Sequence, residues 1–419
     1  MNISLFIAQR LQLKGTNRDT SSSSTIIAVV GITIAIIVML LTITIVLGFK
    51  HQIQDKVMGF DSQITINPAI NYYTGESEDY ITLNDSLQNV IEQTINDSNA
   101  NIALSVNQPG IIKTDNNYIG LIFKGISKHS DTFFINQNLI DGNLYNFYTD
   151  SCKNKIIISS FTSSALNINI GDKVNTYFFT KNNLRTRKFE IAGIYNSNFG
   201  EYDKLIAYAP LSTLQRIAQL DSTSGTIIEI SRIDNDLIQE KSIALQSAIN
   251  NAVYQNYLHK IYNVNNVKQS GAMYFNWLDL LDTNVVVILI LMGCVAGITL
   301  ISCLFIIILE RIKTIGLLKA IGATNAQIRQ IFIYMALRLV LRGMIIGNII
   351  SLSFVYIQDV FRIIPLDPEA YYLSYVPVEI NWDHILCLNF CVIIIAGLIL
   401  IAPAHLASKI SPSQTMRYE

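Results

Sequence analysis

The chain has 419 residues, half of them apolar and only 15% charged, with a formal net charge of −1. Soluble domains carry about 25% charged residues, so the deficit points to membrane segments. Near-zero net charge leaves no electrostatic footprint for nucleic acid, which is not expected as a partner.

Taken from the start, residues 1–24 read as a cytoplasmic amphipathic segment. Ile3, Phe6, Ile7, Leu11 and Leu13 make an apolar face, with Gln9, Arg10 and Lys14 on the wet side. Residues 25–49 form the first of four long apolar runs; the others are 285–309, 333–357 and 385–404. An α-helix needs about 20 such residues to cross a hydrocarbon core roughly 30 Å thick. The first run is too long for a cleavable signal peptide, and no Ala-x-Ala follows it.

Residues 50–284 read as one extracytoplasmic α+β domain. Strands are expected at 63–67, 102–106, 118–125, 155–159, 173–179, 189–195, 207–210 and 225–230. Helices are expected at 83–95, 211–219 and 237–252. A loop is read at 71–78, and turns at Gly171-Asp172 and 181–183. The pattern is a β-rich middle flanked by helix-bearing halves. Tyr274 and Trp277 stand just before the second run, where aromatic residues anchor a helix at the membrane interface.

The link 310–332 implies two short helices broken at Gly322, the second capped by Thr324 or Asn325. Ile315, Leu317, Leu318 and Ile321 are too apolar for a bare solvated loop. They form either a docking surface or a seal on the membrane face. The third run must include Arg342 and Arg338, one turn apart, as rim charges that anchor the helix or meet lipid phosphate. A loop (358–384) and a tail (405–419) complete the chain. Lys and Arg concentrate before run one, in the 310–330 link and in the tail, while 358–384 is acidic. By the positive-inside rule both termini are cytoplasmic and the large domain is external.

No catalytic residue or metal site is expected. There is no Walker A motif, no His-Glu-x-x-His and no Gly-x-Ser-x-Gly. His51, His129, His259, His384 and His405 are scattered, and Cys294, Cys303, Cys387 and Cys391 lie inside apolar runs as small membrane residues. Any work this chain performs draws its energy from elsewhere.

The stretch Glu310-Arg-x-Lys-x-Ile-Gly-Leu-Leu-Lys-Ala-Ile-Gly-Ala-Thr resembles the signature of FtsX-like and MacB-like ABC transporter permeases. Gly48-Phe49 at the end of the first run is similar to the same family. Leu366-Asp367-Pro368, Tyr371-Tyr372-Leu373, Val376-Pro377-Val378 and the ending Pro403-Ala404 to Pro412 resemble its lipoprotein-releasing members, LolC and LolE. The resemblance covers both ends and all four runs. In the external domain it rests on Gly171-Asp172-Lys173-Val174, Ile191-x-Gly193-Ile194-Tyr195 and Pro210-Leu211.

That resemblance implies a four-helix membrane protein with a MacB-like periplasmic core between helices one and two, in the bacterial inner membrane. It implies a non-catalytic subunit whose LolD-like ATPase partner binds ATP and Mg, with no cofactor on this chain. Coupling to the ATPase would fall to Glu310, Arg311, Lys313, Ile315, Leu317, Leu318, Lys319, Ile321 and Gly322. A second permease subunit, a copy or a homologue, is implied, with a lipoprotein substrate, a LolA-like periplasmic carrier and membrane lipid as further partners. Met39, Thr42, Ile45, Val46 and Phe49 share one face of the first run and would line an acyl-chain cavity, or face lipid. Two other roles known in the family are FtsX-like signalling to a peptidoglycan hydrolase and MacB-like export. Thr314 stands where many members have Glu, the turn 180–186 is shorter than the carrier-gripping hook of LolC-type subunits, and no ATPase is fused.

Overall fold

The computed structural model describes residues 20–69, 80–115, 117–144, 152, 154–180 and 184–408, with side chains from 25 to 405. The amphipathic reading of 1–19, the loop 71–78, the turn 181–183 and the tail beyond 408 lie outside the described residues. The chain divides into a membrane unit (1–50, 278–365 and 375–419) and a head (51–277 and 366–374).

Among the described residues, four helices are long and apolar enough to span a bilayer: Thr25–Phe60, Ala272–Glu310, Asn325–Phe361 and Trp382–His405. Each outruns its apolar run. The first continues unbroken from Thr20 to Phe60 because Ile53, Val57 and Phe60 carry on a buried stripe at helical spacing after the run ends. The third begins at Asn325, so the second of the two short link helices expected from sequence is the first turns of the third span. Nothing between Thr324 and Phe361 breaks the helix.

Small residues set the packing. A Cβ on Gly343 would lie 2.8 Å from Ile32, and one on Gly347 2.9 Å from Ile36, so spans one and three approach as only glycine permits. Thr33 Oγ1 donates to Gly343 O across the same contact at 3.3 Å. Asn348 and Asn389 exchange amide hydrogen bonds of 2.7 and 3.1 Å between spans three and four. Each amide also donates to a carbonyl in its own helix. One apolar cluster, including Ala28, Ile32, Leu304, Phe332, Leu339 and Leu400, joins all four helices.

The head has two parts. Strands Leu184–Tyr195, Lys155–Ser159, Ile206–Pro210, Tyr118–Ile126, Asn107–Lys113 and Lys173–Phe179 follow one another, and the last pairs back to the first. They close a mixed barrel, with Leu139–Gly142 added outside on Leu184–Tyr195. Phe123, Phe178 and Phe189 fill it edge-to-face and stacked, with Ile112, Leu121, Ile156 and Ile191 around them. The second part is an antiparallel sheet ordered Tyr262–Asn266, Ile64–Pro68, Ile227–Ser231, Asn101–Ser105. Its helices are Asp85–Ile95, capped by Asn84, and Ile238–Tyr254. The chain thus enters and leaves the head through the four-stranded sheet and builds the barrel between.

Two strands and one aromatic side chain illustrate departures from expectation. Asn107–Lys113, which carries Pro109 and Gly110, is a barrel strand held on both sides by Tyr118–Ile126 and Lys173–Phe179. Leu184–Tyr195 starts five residues earlier than its apolar pattern because hairpin pairing extends it to Phe179↔Leu184. Tyr274 is not an interface anchor: its ring is buried among aromatic residues of the head.

Candidate functional site

The link between spans two and three carries a charged, partly apolar surface on a fixed scaffold. The second span stops at Glu310, and the backbone N–H of Arg311 still donates to Ile307 O and Ile308 O. A separate helix, Ile312–Ala320, follows. It turns at Gly322, whose φ of +102° is a left-handed conformation that favours glycine. Gly322 N–H donates to Lys319 O and Ala323 N–H to Leu318 O, closing the turn. Thr324 then starts the third span with a capping box to Gln327.

This framework sorts the apolar residues of the link into two sets. Ile315 is 1% exposed and belongs to the core of the spans, with Leu318 and Ala323 packed against it. Leu317 and Ile321 are 61% and 76% exposed. They lie one turn apart on the opposite face, beside exposed Lys313. Glu310 and Gly322 are exposed, and Arg311 and Lys319 half-buried. The apolar residues of the link thus divide between a buried face, Ile315 with Leu318, and an exposed one, Leu317 with Ile321.

The rim arginines separate. Arg338 is half-buried, while Arg342 is exposed and borders a shallow apolar cleft of about 350 Å³ with Val29, Ile345 and Ile346. Of the five cavity candidates, Met39 lines a groove of about 570 Å³ together with Ile32 and Ile43. Thr42, Ile45, Val46 and Phe49 are not in its wall. The groove face of the first span follows positions 32, 39 and 43; Thr42, Ile45 and Phe49 rotate away from it at about 100° per residue, while Val46 shares the angle of Met39 but lies two turns further along the helix.

In the head, an aromatic cluster that sequence reasoning missed gathers four chain segments. Phe60 ends the first long helix and stacks on Tyr202 at 4.7 Å. Phe199 lies 5.1 Å from Tyr202, 5.0 Å from Tyr274 and 4.8 Å from Tyr372. The polar groups at its edge are paired. Tyr202 donates to Asp61 and Tyr274 to Glu201. Lys56 Nζ donates to the carbonyls of Ser197 and Tyr372, the latter at 2.6 Å. Asp203 accepts from Ser197 Oγ at 2.7 Å. Burial raises the Asp203 carboxyl pKa, against the opposing pull of the Ser197 hydrogen bonds and of Lys56. Burial and the Asp61 charge raise the Tyr202 hydroxyl. The available signal was the adjacency of Phe199 and Tyr202 to a Gly-containing turn, but no periodicity links them to residues 60, 274 or 372.

A cavity of about 430 Å³ is lined by both parts of the head. Lys124, from the barrel, pairs across it with Glu229 of the four-stranded sheet at 2.7 Å and donates to Phe60 O at 2.6 Å. Among the described residues no cluster of His, Cys, Asp and Glu fits a metal ion.

The family described as MacB-like periplasmic core domain matches residues 25–246, and the FtsX-like permease C-terminal family matches 269–412. The chain belongs to the FtsX/MacB-like permease family. It is therefore a membrane-spanning protein with a periplasmic core domain, of a family of ABC transporter permeases that work with an ATPase and a paired permease. It is 18% identical to the lipoprotein-releasing system transmembrane protein LolC of Xylella fastidiosa strain Temecula1, over 94% of this chain and 93% of that protein. The match to LolC of strain 9a5c is 19% identical and spans 56% of each chain. LolE of Haemophilus influenzae is 22% identical over 62% of this chain and 64% of its own length. Among solved structures, the periplasmic region of MacB from Actinobacillus actinomycetemcomitans is 18% identical, with a TM-score of 0.34, over 54% of this chain and 98% of that one.

Proposed function

We propose that this chain is a transmembrane subunit of an ATP-driven transporter that extracts lipoproteins from the inner membrane and passes them to a periplasmic carrier. The observation that carries the reading is the two-faced link helix. Its inner face is held by Ile315 and Leu318, and its outer face offers Leu317 and Ile321 as a knob for an ATPase subunit. The Gly322 turn joins that knob to a single helix, capped by Thr324 and running to Phe361, through which a push on the knob would reach the third span. ATP and Mg belong to the ATPase, and this chain holds no cofactor. Both termini and the link face the cytoplasm, and the head faces the periplasm. The relatives named for lipoprotein release support that cargo over peptidoglycan signalling or small-molecule export.

The physical demand on such a machine is large. Exposing an acyl chain to water costs about 0.8 kcal/mol per methylene, so three long chains would cost tens of kcal/mol. The path from bilayer to carrier must stay apolar throughout. The paired permease, a copy or a homologue, would supply the other side of that path.

The test is reconstitution of the chain with its ATPase and permease partners, reading ATP-dependent release of a triacylated lipoprotein to a soluble carrier. Leu317→Ser with Ile321→Ser is expected to cut ATPase co-purification and release at least tenfold while the spans stay folded, since both side chains are exposed. Full release by this variant would sink the coupling assignment. Retained ATPase binding with no lipoprotein released by the wild type, but activation of a periplasmic amidase, would move the chain to the signalling role.

A further inference from the structure

Two polar side chains outside the link, Lys56 and Gln358, both hold the stretch of chain between spans three and four. That stretch is divided. Residues 366–374 pack as part of the head, while the chain on either side, 278–365 and 375–419, belongs to the membrane unit. Among the described residues they are the head's only contribution from beyond Trp277. The two legs form a hairpin. Val376 N–H donates to Ile364 O at 3.0 Å, Leu366 N–H donates to Ser374 O at 3.0 Å, and Pro365 and Tyr375 form a bridge between them. Gln358, buried in the last turn of the third helix, grips both legs. Its amide donates to Val376 O at 2.9 Å and accepts from Ile364 N–H at 3.1 Å.

The tip is gripped separately. Tyr372, at a left-handed φ of +60°, ends the short helix Pro368–Tyr371, and its carbonyl accepts from Lys56 Nζ at 2.6 Å. Its ring stands edge-on to Phe199 at 4.8 Å and to Tyr274 at 6.1 Å. Asn198 Nδ2 donates to Ser374 Oγ at 3.0 Å. Lys56 also donates to Ser197 O, so one amine joins the first helix, the 196–203 segment and the tip. Burial lowers the Lys56 pKa to about 8, with Asp203 pulling the other way. The group therefore stays mostly charged at neutral pH, and both of its bonds are charge-assisted. A loop that only joined two helices would need neither grip, since such connections are the easiest parts of a protein to open. Between Val376 and Tyr372 about four residues of chain reach at most about 14 Å. A larger shift of the third span cannot leave the tip behind without breaking one grip.

We propose that 362–376 is a strap that carries movement of the third span into the head, with Gln358 and Lys56 as its two clamps. Both clamps act on backbone groups of the strap, and each belongs to a different unit, so the strap stays attached at both ends while the units move. The inference rests on the link as an ATPase dock for the source of the movement, and it is independent of the cargo.

The test uses the full chain in nanodiscs with its ATPase and permease partners. Hydrogen exchange of peptides covering 196–203 and 366–374 is followed with and without ATP and vanadate. Nucleotide is expected to change exchange in both peptides of the wild type by at least about threefold. Gln358→Leu leaves every head residue in place. It should remove that response while ATP hydrolysis, and exchange of 196–203 without nucleotide, stay as in the wild type. Lys56→Met should remove the response too, and Lys56→Arg, which keeps donors for both carbonyls, should restore most of it. If Lys56→Met fails to fold, Gln358→Leu decides alone. A response untouched by Gln358→Leu would make Lys56 a staple of the head and overturn the proposal. A second arm joins Asn198→Cys to Ser374→Cys with a short bis-thiol reagent, in a chain whose five own cysteines are changed to alanine. The response should survive; its loss would mean that the tip must leave the head in each cycle, and would also overturn the strap. An ATPase that fails to bind the wild-type chain would sink the dock and the strap with it. One that binds and hydrolyses ATP with no response in either peptide would sink the strap alone.

Discussion

In the membrane unit, Gly343 and Gly347 let Ile32 and Ile36 press against the third span's backbone, and one Asn348–Asn389 amide pair ties spans three and four. In the head, three phenylalanines fill a closed barrel, and the buried Lys124–Glu229 ion pair joins that barrel to a second sheet. The contrast follows from the two solvents. Lipid gives apolar side chains no reason to leave it, so span packing rests on close backbone approach and a few interhelical hydrogen bonds. Water drives large aromatic rings inward in the head, and the charges carried in with them must be paired. The head's polar pairs are therefore the more sensitive to loss of one partner.

The sharpest way to break that contrast is Lys124→Met. It strands Glu229 in a nearly closed site and is expected to destabilise the head by about 3–5 kcal/mol. Protease resistance of the head in the intact, detergent-solubilised chain reads the effect. Lys124→Met with Glu229→Leu should regain most of it, and a double variant as unstable as the single would mean the pair is not what joins the two parts. Asn348→Leu in the spans should cost far less, on the order of 0.6–1.7 kcal/mol, because an amide in a membrane finds other partners. A loss as large as that of Lys124→Met would erase the distinction drawn between the two units.

The smallest effect concerns pH. The folded state holds the Asp203 proton more tightly than the unfolded chain does, because burial raises its pKa. Bound protons then exceed those of the unfolded state from about pH 4 upward, so this group's contribution to stability falls as pH rises through that window and levels off above the folded pKa. Asp203→Asn should flatten that fall in a melting series across the window. A steeper fall in the variant would mean that the Lys56 and Ser197 contacts outweigh burial.

Much of the link was legible. The run of Ile315, Leu317, Leu318 and Ile321 is conspicuous between charged residues, Gly322 punctuates it, and Thr324 is a recognisable cap. Which residues face outward was not legible. The helix is too short for its pattern to name a buried side, and only the spans packed beneath it distinguish Ile315 and Leu318 from Leu317 and Ile321. The groove-lining face of the first span was not legible for the same reason. Helical periodicity grouped Met39 with Thr42, Ile45, Val46 and Phe49, yet the neighbours supplied by spans two and four select positions 32, 39 and 43.

Four runs of apolar residues, each long enough for a bilayer, by themselves determined that this is a membrane protein with a large insertion after the first run. That follows because backbone satisfaction in lipid leaves a long apolar segment no choice but a helix. Barrel closure between Lys173–Phe179 and Leu184–Tyr195, and the meeting of Phe60, Phe199, Tyr274 and Tyr372, were decided only by the tertiary structure. Contacts between distant segments depend on which surfaces pack together, and no local period in the chain encodes that.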